Sequence, residues 1–231
     1  MSALLKEAFN IPNKEDTFCS SCNNTGWQKF IDSNGSSFVR RCLKNTHLTN
    51  KLTALGVLPC YQQYSFLTYI PHNQVESQAK RSIQKLVKII CPTKIGVILS
   101  SSSANGKTHL AISLMKALLA EGIMQPRFVD TTKLVKELDI DLNLITTSER
   151  YLLKENISNA ELLILDDFAQ EPYSEEQKAN LEDIIHYRHR NLLPVIITTR
   201  LSLDELRKTV TPPIYSRLQE MCDFISLNLI A

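Results

Sequence analysis

Short apolar runs that alternate with helical patterns dominate the sequence beyond residue 94. Each run is too short for a helix, and in the runs at 95–101, 160–167 and 193–200 the apolar residues follow one another without a polar interruption at the centre, which is typical of a strand buried on both faces. Strands that alternate with helices predict an α/β domain built on a parallel sheet with covered faces. The predicted strands lie at 95–101, 126–132, 160–167, 193–200 and 223–230, and the predicted helices at 106–122, 132–160 (broken), 174–190, 202–208 and 214–222.

The residues before this alternation divide into two parts. Residues 73–90 carry an apolar stripe at helical spacing, so they predict an amphipathic helix that ends before Pro92. Residues 1–50 contain half of the six cysteines and the single tryptophan, and they show little periodicity. We therefore divide the chain into a cysteine-rich module at 1–50, a linker with an amphipathic helix at 51–92 and a core at 93–231.

The composition narrows the class of protein. Hydrophobic residues make up 43% and charged residues 22% of the 231 residues, which is typical of a folded soluble protein. No stretch approaches the roughly 20 apolar residues that a membrane helix needs, and the N-terminus does not read as a signal peptide. These features predict a cytoplasmic protein with no membrane partner, in which cysteines serve as thiols or metal ligands. The net charge of +2 neither favours nor excludes nucleic acid.

The segment SSSANGKT at 101–108 joins the first core strand to the next helix. Gly106, Lys107 and Thr108 match the end of the phosphate-binding pattern G-x-x-x-x-G-K-[ST], in which loop amides and a helix N-terminus face the phosphates. Ser101 stands where the pattern has its first glycine. Serine is small, but it does not readily adopt positive φ, so we expect a strained or rebuilt loop. The alternative is an ordinary polar turn.

The run LLILDD at 162–167 supplies a second motif. Its apolar residues predict a buried strand, and Asp166 and Asp167 stand at the carboxyl end of that strand. One carboxylate there can hold Mg²⁺, and the next acidic residue can orient an attacking water. A polar turn after a strand is the alternative interpretation.

The order of these motifs resembles that of AAA+ ATPases, in particular the helicase loaders of the DnaC/DnaI type and the transposition ATPase IstB. The matching stretches are GKTHLAISLMKALL, LLILDDF, PVIITTRLSLDEL and IYSRLQEM, in the Walker A, Walker B, sensor 1 and arginine-finger positions. Upstream, LGVLPCYQQYSFLTY is similar to the segment that leads into the ATPase core, and CSSCNNTGW with VRRC to a cysteine-rich module. The resemblance covers roughly residues 17–229 and implies an AAA+ P-loop core without a C-terminal lid.

The resemblance implies a site for ATP and Mg²⁺ on this loop. Lys107 would contact the β- and γ-phosphates, Thr108 and Asp166 would hold Mg²⁺, and Asp167 would polarise the attacking water. A packing or capping role is an alternative for His109. The nucleotide-binding residues are then Ser102, Ser103, Ala104, Asn105, Gly106, Lys107, Thr108, His109 and Asp166.

Two further roles follow from the resemblance. Thr199, or Arg200 beside it, would stand near the γ-phosphate as sensor 1. Arg217 would reach into the site of a neighbouring subunit of a homo-oligomer as an arginine finger, although a surface arginine is its plainer interpretation. Glycines are missing at Ser101 and Ala104, so the resemblance implies an ATPase whose turnover could be slow.

The cysteine-rich module predicts a zinc site. Cys19 and Cys22 have the spacing of a metal knuckle, and Cys42 follows. Many members of the family have a second pair at this point, but Lys44 takes its second position here, so His47 is the nearest substitute. Reduced thiols without metal are the alternative, and Cys60 is a weaker candidate ligand. The predicted zinc ligands are Cys19, Cys22, Cys42 and His47.

The resemblance also implies partners, namely single-stranded DNA and a hexameric replicative helicase of the DnaB type. Basic residues at 79–88, 131–139 and 187–191 could follow a nucleic-acid backbone, although a solvated helix face is the default interpretation of each. We therefore interpret the chain as an ATP-dependent helicase loader of DNA replication. An IstB-like ATPase that assists a transposase, and a nucleotide-binding adaptor with little turnover, are the alternatives.

Overall fold

The computed structural model describes residues 21–22, 27–42, 46–93, 96–122, 126–139 and 147–228. Two separate sheets lie within these residues, a two-stranded antiparallel hairpin and a five-stranded sheet whose neighbouring strands are all parallel. The five-stranded sheet has the order β4-β5-β6-β3-β7, and it confirms the predicted α/β fold. The strands are β1 (Trp27–Ile31), β2 (Ser37–Arg41), β3 (Gly96–Ser100), β4 (Pro126–Asp130), β5 (Leu162–Asp166), β6 (Val195–Thr199) and β7 (Cys222–Ser226).

Helices cover the five-stranded sheet, and two of them begin with the capping boxes that their sequences encode. Ser174 accepts a hydrogen bond from the backbone N–H of Gln177, and Ser202 accepts one from that of Glu205. Within the described ranges, no helix is long and apolar enough to span a bilayer. The helices are α1 (Thr46–Ala54), α2 (Gln74–Thr93), α3 (Lys107–Ala120), α4 (Thr131–Asp139), α5 (Thr147–Ser158), α6 (Glu175–Arg190), α7 (Leu203–Thr209) and α8 (Pro212–Met221), with a 3-10 turn at Pro59–Tyr61.

The three central strands, β3, β5 and β6, bury both faces, because successive side chains point to opposite sides of a sheet that is covered on each side. Val97 and Leu99 pack with α2 and α3 on one side, while Ile98 packs with α6 and α8 on the other. Each central strand therefore contributes to two apolar cores. This explains why β3, β5 and β6 are buried along their whole length and are apolar except at their carboxyl ends.

The segment before the core packs against it at two places. The backbone N–H of Phe128 in the edge strand β4 donates to the carbonyl of Leu55 at 2.8 Å, so this edge is covered. Nearby, Lys116 of α3 is buried and donates its Nζ to the carbonyls of Gln62 and Tyr64 at 2.5 and 2.7 Å. Burial lowers the pKa of Lys116 to about 8. Part of the predicted linker thus packs against the core.

Two expectations about local structure are wrong. The amphipathic helix does not end before Pro92 but continues to Thr93, so Pro92 lies in its last turn. The basic patch predicted at 187–191 loses one of its two arginines, because Arg188 is fully buried. Its guanidinium donates to the carbonyls of Ser158, Ala160 and Pro194 at 3.0, 2.8 and 2.5 Å. Arg188 therefore holds the ends of α5, β5 and β6 together and cannot serve nucleic acid.

Candidate functional site

The loop between β3 and α3 is closed by serine hydroxyls. Ser101 is buried, and its Oγ lies within hydrogen-bond distance of two acceptors, Oδ1 of Asn105 at 2.8 Å and Oδ1 of Asn228 at 3.0 Å. The backbone N–H of Ser102 also donates to Asn228 Oδ1, at 3.1 Å. Within 101–106, only Gly106 has a positive φ, so the serines do not need the left-handed backbone that they would resist. The loop is rebuilt with hydroxyl contacts rather than strained.

Gly106 is the N-cap residue of α3 and lies against an aromatic ring. Its φ is 78°, in the left-handed region, and a Cβ atom at this position would lie 2.5 Å from Cε2 of Tyr69. The hydroxyl of Tyr69 donates to the carbonyl of Asn105 at 3.0 Å, and burial raises the pKa of Tyr69 to about 12. Tyr69 thus holds the loop at the point where the chain enters the helix.

Gly106→Ala is expected to lower the free energy of unfolding by roughly 3 kcal/mol, because it combines a left-handed alanine with overlap against Tyr69. Gly35→Ala is the matched control, since Gly35 has φ 77° with nothing within 4 Å of the added Cβ. The control is expected to lose only about 1–2 kcal/mol, the cost of the left-handed backbone alone. Urea unfolding measures both variants, and equal losses would contradict the contact with Tyr69.

Lys107 is the first residue of α3 and its side chain turns back into the loop. It is buried, and its Nζ donates to the carbonyls of Ser101 at 2.7 Å and of Ser103 at 2.8 Å. Burial lowers its pKa, while the charge of Asp167 acts in the opposite direction. The ammonium group is therefore held at the centre of the loop, where the sequence pattern places the phosphate-binding lysine.

Asp166, at the end of β5, links α3 to β6 through hydrogen bonds. Its Oδ1 accepts hydrogen bonds from Oγ1 of Thr108 at 2.8 Å and from Oγ1 of Thr198 at 2.6 Å. Burial raises the pKa of the Asp166 carboxyl to about 6 from its ordinary 3.8, although both hydrogen bonds act to lower it. A carboxylate and a hydroxyl in direct contact are oxygen ligands suited to Mg²⁺. Thr198 was not singled out from the sequence, because its role depends on pairing between strands.

Asp166→Asn is expected to be more stable than the wild type above pH 6, by about 1–3 kcal/mol. The folded-state pKa of about 6 lies above the ordinary 3.8, so the folded protein binds this proton more tightly than the unfolded chain. The contribution of Asp166 to the free energy of unfolding therefore falls as the pH rises through this window. Urea unfolding at pH 4 and pH 8 tests it, with exposed Asp223→Asn as the control. An equal loss of stability at both pH values would contradict it.

The residue after Asp166 sits in a tight, left-handed turn. Asp167 has φ 51° and Ala169 φ 57°, both unusual for residues with a side chain. The backbone N–H of Asp167 donates to Oγ1 of Thr198 at 2.9 Å, and Phe168 between the two is buried in the core. The turn is thus held from β6 and from the core. Asp167 is partly exposed beside Asp166 and remains the predicted residue for orienting a water.

The two sensor 1 candidates face different surroundings. Thr199 is fully buried, and its hydroxyl donates to the carbonyl of Phe168 at 2.8 Å. Arg200 is exposed and lies close enough to the loop for its charge to act on Lys107 and lower its pKa, as a smaller cause than burial. In this geometry Arg200, rather than the hydroxyl of Thr199, is the group open to solvent beside the loop.

Arg217 lies on α8 and contacts its own chain. Its Nη1 is 3.7 Å from Oε1 of Glu182 on α6, which is an ion contact too long for a hydrogen bond. The other oxygen of Glu182 accepts a hydrogen bond from Thr211 at 2.8 Å. Arg217 is partly exposed. Its role as a finger for a second subunit stays a prediction.

His109 packs between aromatic rings. Its ring stacks on Tyr64 with 4.2 Å between centroids, and its Nε2 lies 3.0 Å from the carbonyl oxygen of Ser65 and 3.1 Å from Oγ1 of Thr68. Burial lowers the pKa of His109. These contacts favour the packing role, in which His109 ties the segment at 64–69 to α3.

The described part of the cysteine-rich module contains two buried thiols. Cys22 and Cys42 lie on either side of the β1–β2 hairpin, and both are buried. Cys19 and the side chain of His47 lie outside the described residues. Among the side chains that are described, no group of three or more potential metal ligands is present. Cys60 is exposed, in the 3-10 turn.

The other predicted basic patches have different surroundings. Lys133 pairs with Glu137 at 3.5 Å and Lys136 with Glu171 at 3.6 Å, so the cations at 131–139 are partly neutralised by acidic neighbours. On α2, the exposed basic residues recur at helical spacing and leave one basic strip on the surface. These are Arg81, Lys85 and Lys88.

The family described as IstB-like ATP binding protein matches residues 38–227, which include the loop, Asp166, Asp167 and β6. The chain belongs to this family. Lys107, Thr108 and Asp166 meet at one edge of the sheet because the carboxyl ends of the parallel strands β3 and β5 lie there.

Relatives of this IstB-like chain carry names from DNA replication. The replicative helicase loader DnaC of Escherichia coli K12 is 22% identical over 193 residues, or 84% of this chain and 78% of that protein. The crystal structure of the DnaC helicase loader is 28% identical with a TM-score of 0.66, and the match covers 74% of this chain and 100% of that one. The DnaI structure has a TM-score of 0.64 at 21% identity, covering 73% and 94%. The core therefore has the AAA+ fold.

Proposed function

We propose that this protein is an ATPase that loads a replicative DNA helicase onto single-stranded DNA. The observation that carries the proposal is the contact of Thr108 with Asp166 beside the buried Lys107, which brings the two nucleotide motifs together. The similarity to DnaC, a replicative helicase loader, supports the partner class.

In this proposal the substrate ATP binds at the loop, with its phosphates toward the N-terminus of α3. The helix presents free backbone N–H groups there, and Lys107 exchanges its two carbonyl contacts for phosphate oxygens. Thr108 and Asp166 would hold Mg²⁺, which neutralises part of the phosphate charge. Asp167 would orient the water, and Thr198 keeps both aspartates in place through its hydroxyl.

A second subunit completes the proposed site. Arg217 would exchange its long contact with Glu182 for the γ-phosphate of a neighbour, so ATP would order a homo-oligomer and hydrolysis would release it. The structure of DnaA bound to AMPPCP and single-stranded DNA has a similar fold, with a TM-score of 0.61 at 13% identity. Exposed basic residues on α2 would suit a phosphate backbone.

A loading assay tests the function. The protein is mixed with the replicative helicase encoded in the same genome and with circular single-stranded DNA, and DNA-bound helicase is measured with and without ATP. Loading that requires this protein is the expected result, and the Asp167→Asn variant should be defective. Failure to bind or load any such helicase would refute the proposal.

A transposase-assisting ATPase is the second candidate, because the matching family takes its description from IstB. The transposase encoded beside the gene, where there is one, should then bind the protein in an ATP-dependent manner. Binding of the transposase without binding of a helicase would favour this candidate over the loader. The nucleotide chemistry at the loop would be the same in both cases.

We further propose that the cysteine-rich module binds zinc through Cys19, Cys22, Cys42 and His47. A two-stranded hairpin is marginally stable alone, and the two buried thiols at its base suit a tetrahedral zinc site. Elemental analysis of the purified protein is expected to give about one zinc per chain. Cys22→Ser and Cys42→Ser should lose the metal, whereas exposed Cys60→Ser should keep it. Zinc-free wild-type protein would refute the proposal.

A further inference from the structure

The β1–β2 hairpin leaves apolar side chains exposed on both of its faces. Phe30, Ile31, Phe38 and Val39 keep between 37 and 71% of their surface in contact with solvent. A hairpin normally buries one face against a core, so this exposure needs another explanation. The pattern indicates a surface that becomes covered when a ligand binds.

One face of the hairpin presents a flat aromatic pair. The strand register places Phe30 opposite Phe38, and their rings stack with 5.8 Å between centroids and 18° between planes. The guanidinium of Arg40 lies 4.9 Å from the centre of the Phe38 ring and 5.8 Å from that of Phe30. Two rings and a planar cation thus form one platform, which we call the Phe30–Phe38–Arg40 platform.

The charges on the hairpin favour an anionic ligand. Lys29 and Arg40 are exposed on opposite faces, and neither forms an ion pair within the part of the chain that the structure describes. The one acidic residue between positions 27 and 42 is Asp32, in the turn. Its Oδ1 already accepts hydrogen bonds from the backbone N–H groups of Asn34 and Ser36, at 2.9 and 2.8 Å. All of the charged residues within the two strands are therefore basic.

Flat rings beside the guanidinium of Arg40, with Lys29 on the other face of the hairpin, fit one chemistry better than others. A single-stranded nucleic acid offers base faces that stack on aromatic rings and phosphates that attract lysine and arginine. A protein ligand would more often need a hollow for an apolar anchor, whereas this platform is a flat ribbon. We propose that the Phe30–Phe38–Arg40 platform binds single-stranded nucleic acid without sequence preference, as a site separate from the nucleotide loop.

The test uses the full-length protein and a fluorescent oligothymidylate, without ATP. The double variant Phe30→Leu/Phe38→Leu is expected to bind about tenfold more weakly, because leucine keeps the apolar bulk but loses the stacking face. Phe30→Tyr/Phe38→Tyr should bind like the wild type, which separates stacking from folding of the hairpin. Ile31→Leu, on the opposite face, is the matched control. Arg40→Gln should reduce, by about one unit, the slope of the logarithm of the binding constant against the logarithm of the salt concentration.

The single tryptophan gives a second readout. Trp27 lies in β1, so quenching of its fluorescence by the oligothymidylate reports binding near the hairpin. Equal affinity of the wild type and the leucine variant would overturn the proposal, and so would an equal loss in the leucine and tyrosine variants. Unchanged DNA binding with lost helicase capture would also overturn it, and would assign the platform to protein docking.

Discussion

Lys107→Ala is expected to lower the rate of ATP hydrolysis at least about 100-fold, because its ammonium is the cation held inside the loop that we propose binds the phosphates. In the structure Nζ is bonded only to the carbonyls of Ser101 and Ser103 within the described residues. Phosphate oxygens would replace these two acceptors, and alanine offers them no charge. A steady-state phosphate-release assay measures the effect.

The control for this variant is Lys85→Ala, which removes an exposed lysine from α2 and should leave turnover unchanged. Unfolding in urea shows whether Lys107→Ala remains folded. Turnover of Lys107→Ala at the wild-type rate would rule out this loop as the catalytic site. A wild-type protein that binds ATP tightly and hydrolyses none would instead support the adaptor alternative.

Arg188→Met is expected to lower the free energy of unfolding by about 3 kcal/mol or more. Methionine fills part of the volume but donates no hydrogen bond. The carbonyls of Ser158, Ala160 and Pro194 would then stay buried without their donor. Because Arg188 joins the ends of α5, β5 and β6, the loss is global rather than confined to one loop.

Arg190→Met is the matched control, two positions further along the same helix and exposed. It should change stability by less than about 0.5 kcal/mol. Urea unfolding followed by circular dichroism compares the two variants. A similar, small effect of both would show that water replaces the guanidinium among these carbonyls.

Local sequence patterns predicted much of the core. The apolar runs of β3, β5 and β6 predicted buried parallel strands, and Ser174 with Gln177 predicted the start of α6. Such features depend on residues close together in the chain, where periodicity and capping chemistry act directly. The loop motif was recognisable for the same reason, since its glycine and lysine are adjacent.

Contacts between distant residues were not predictable in this way. Asn228 anchors Ser101 across 127 positions, and Thr198 reaches Asp166 across 32. No spacing rule links such pairs, because the sheet order brings them together only after the strands have assembled. Arg188 belongs to the same class, since its sequence neighbours suggested a basic surface.

The amino-acid sequence alone was enough to determine the alternation of strands and helices, the loop with its Gly106–Lys107–Thr108 motif and the two aspartates at the carboxyl end of β5. Folding in three dimensions decided which hydroxyls bond the aspartates, how serines replace glycine in the loop, and which arginine is buried. The physical reason is that periodicity and capping act over a few residues, whereas burial and hydrogen bonding across a sheet depend on chain segments that are remote in sequence.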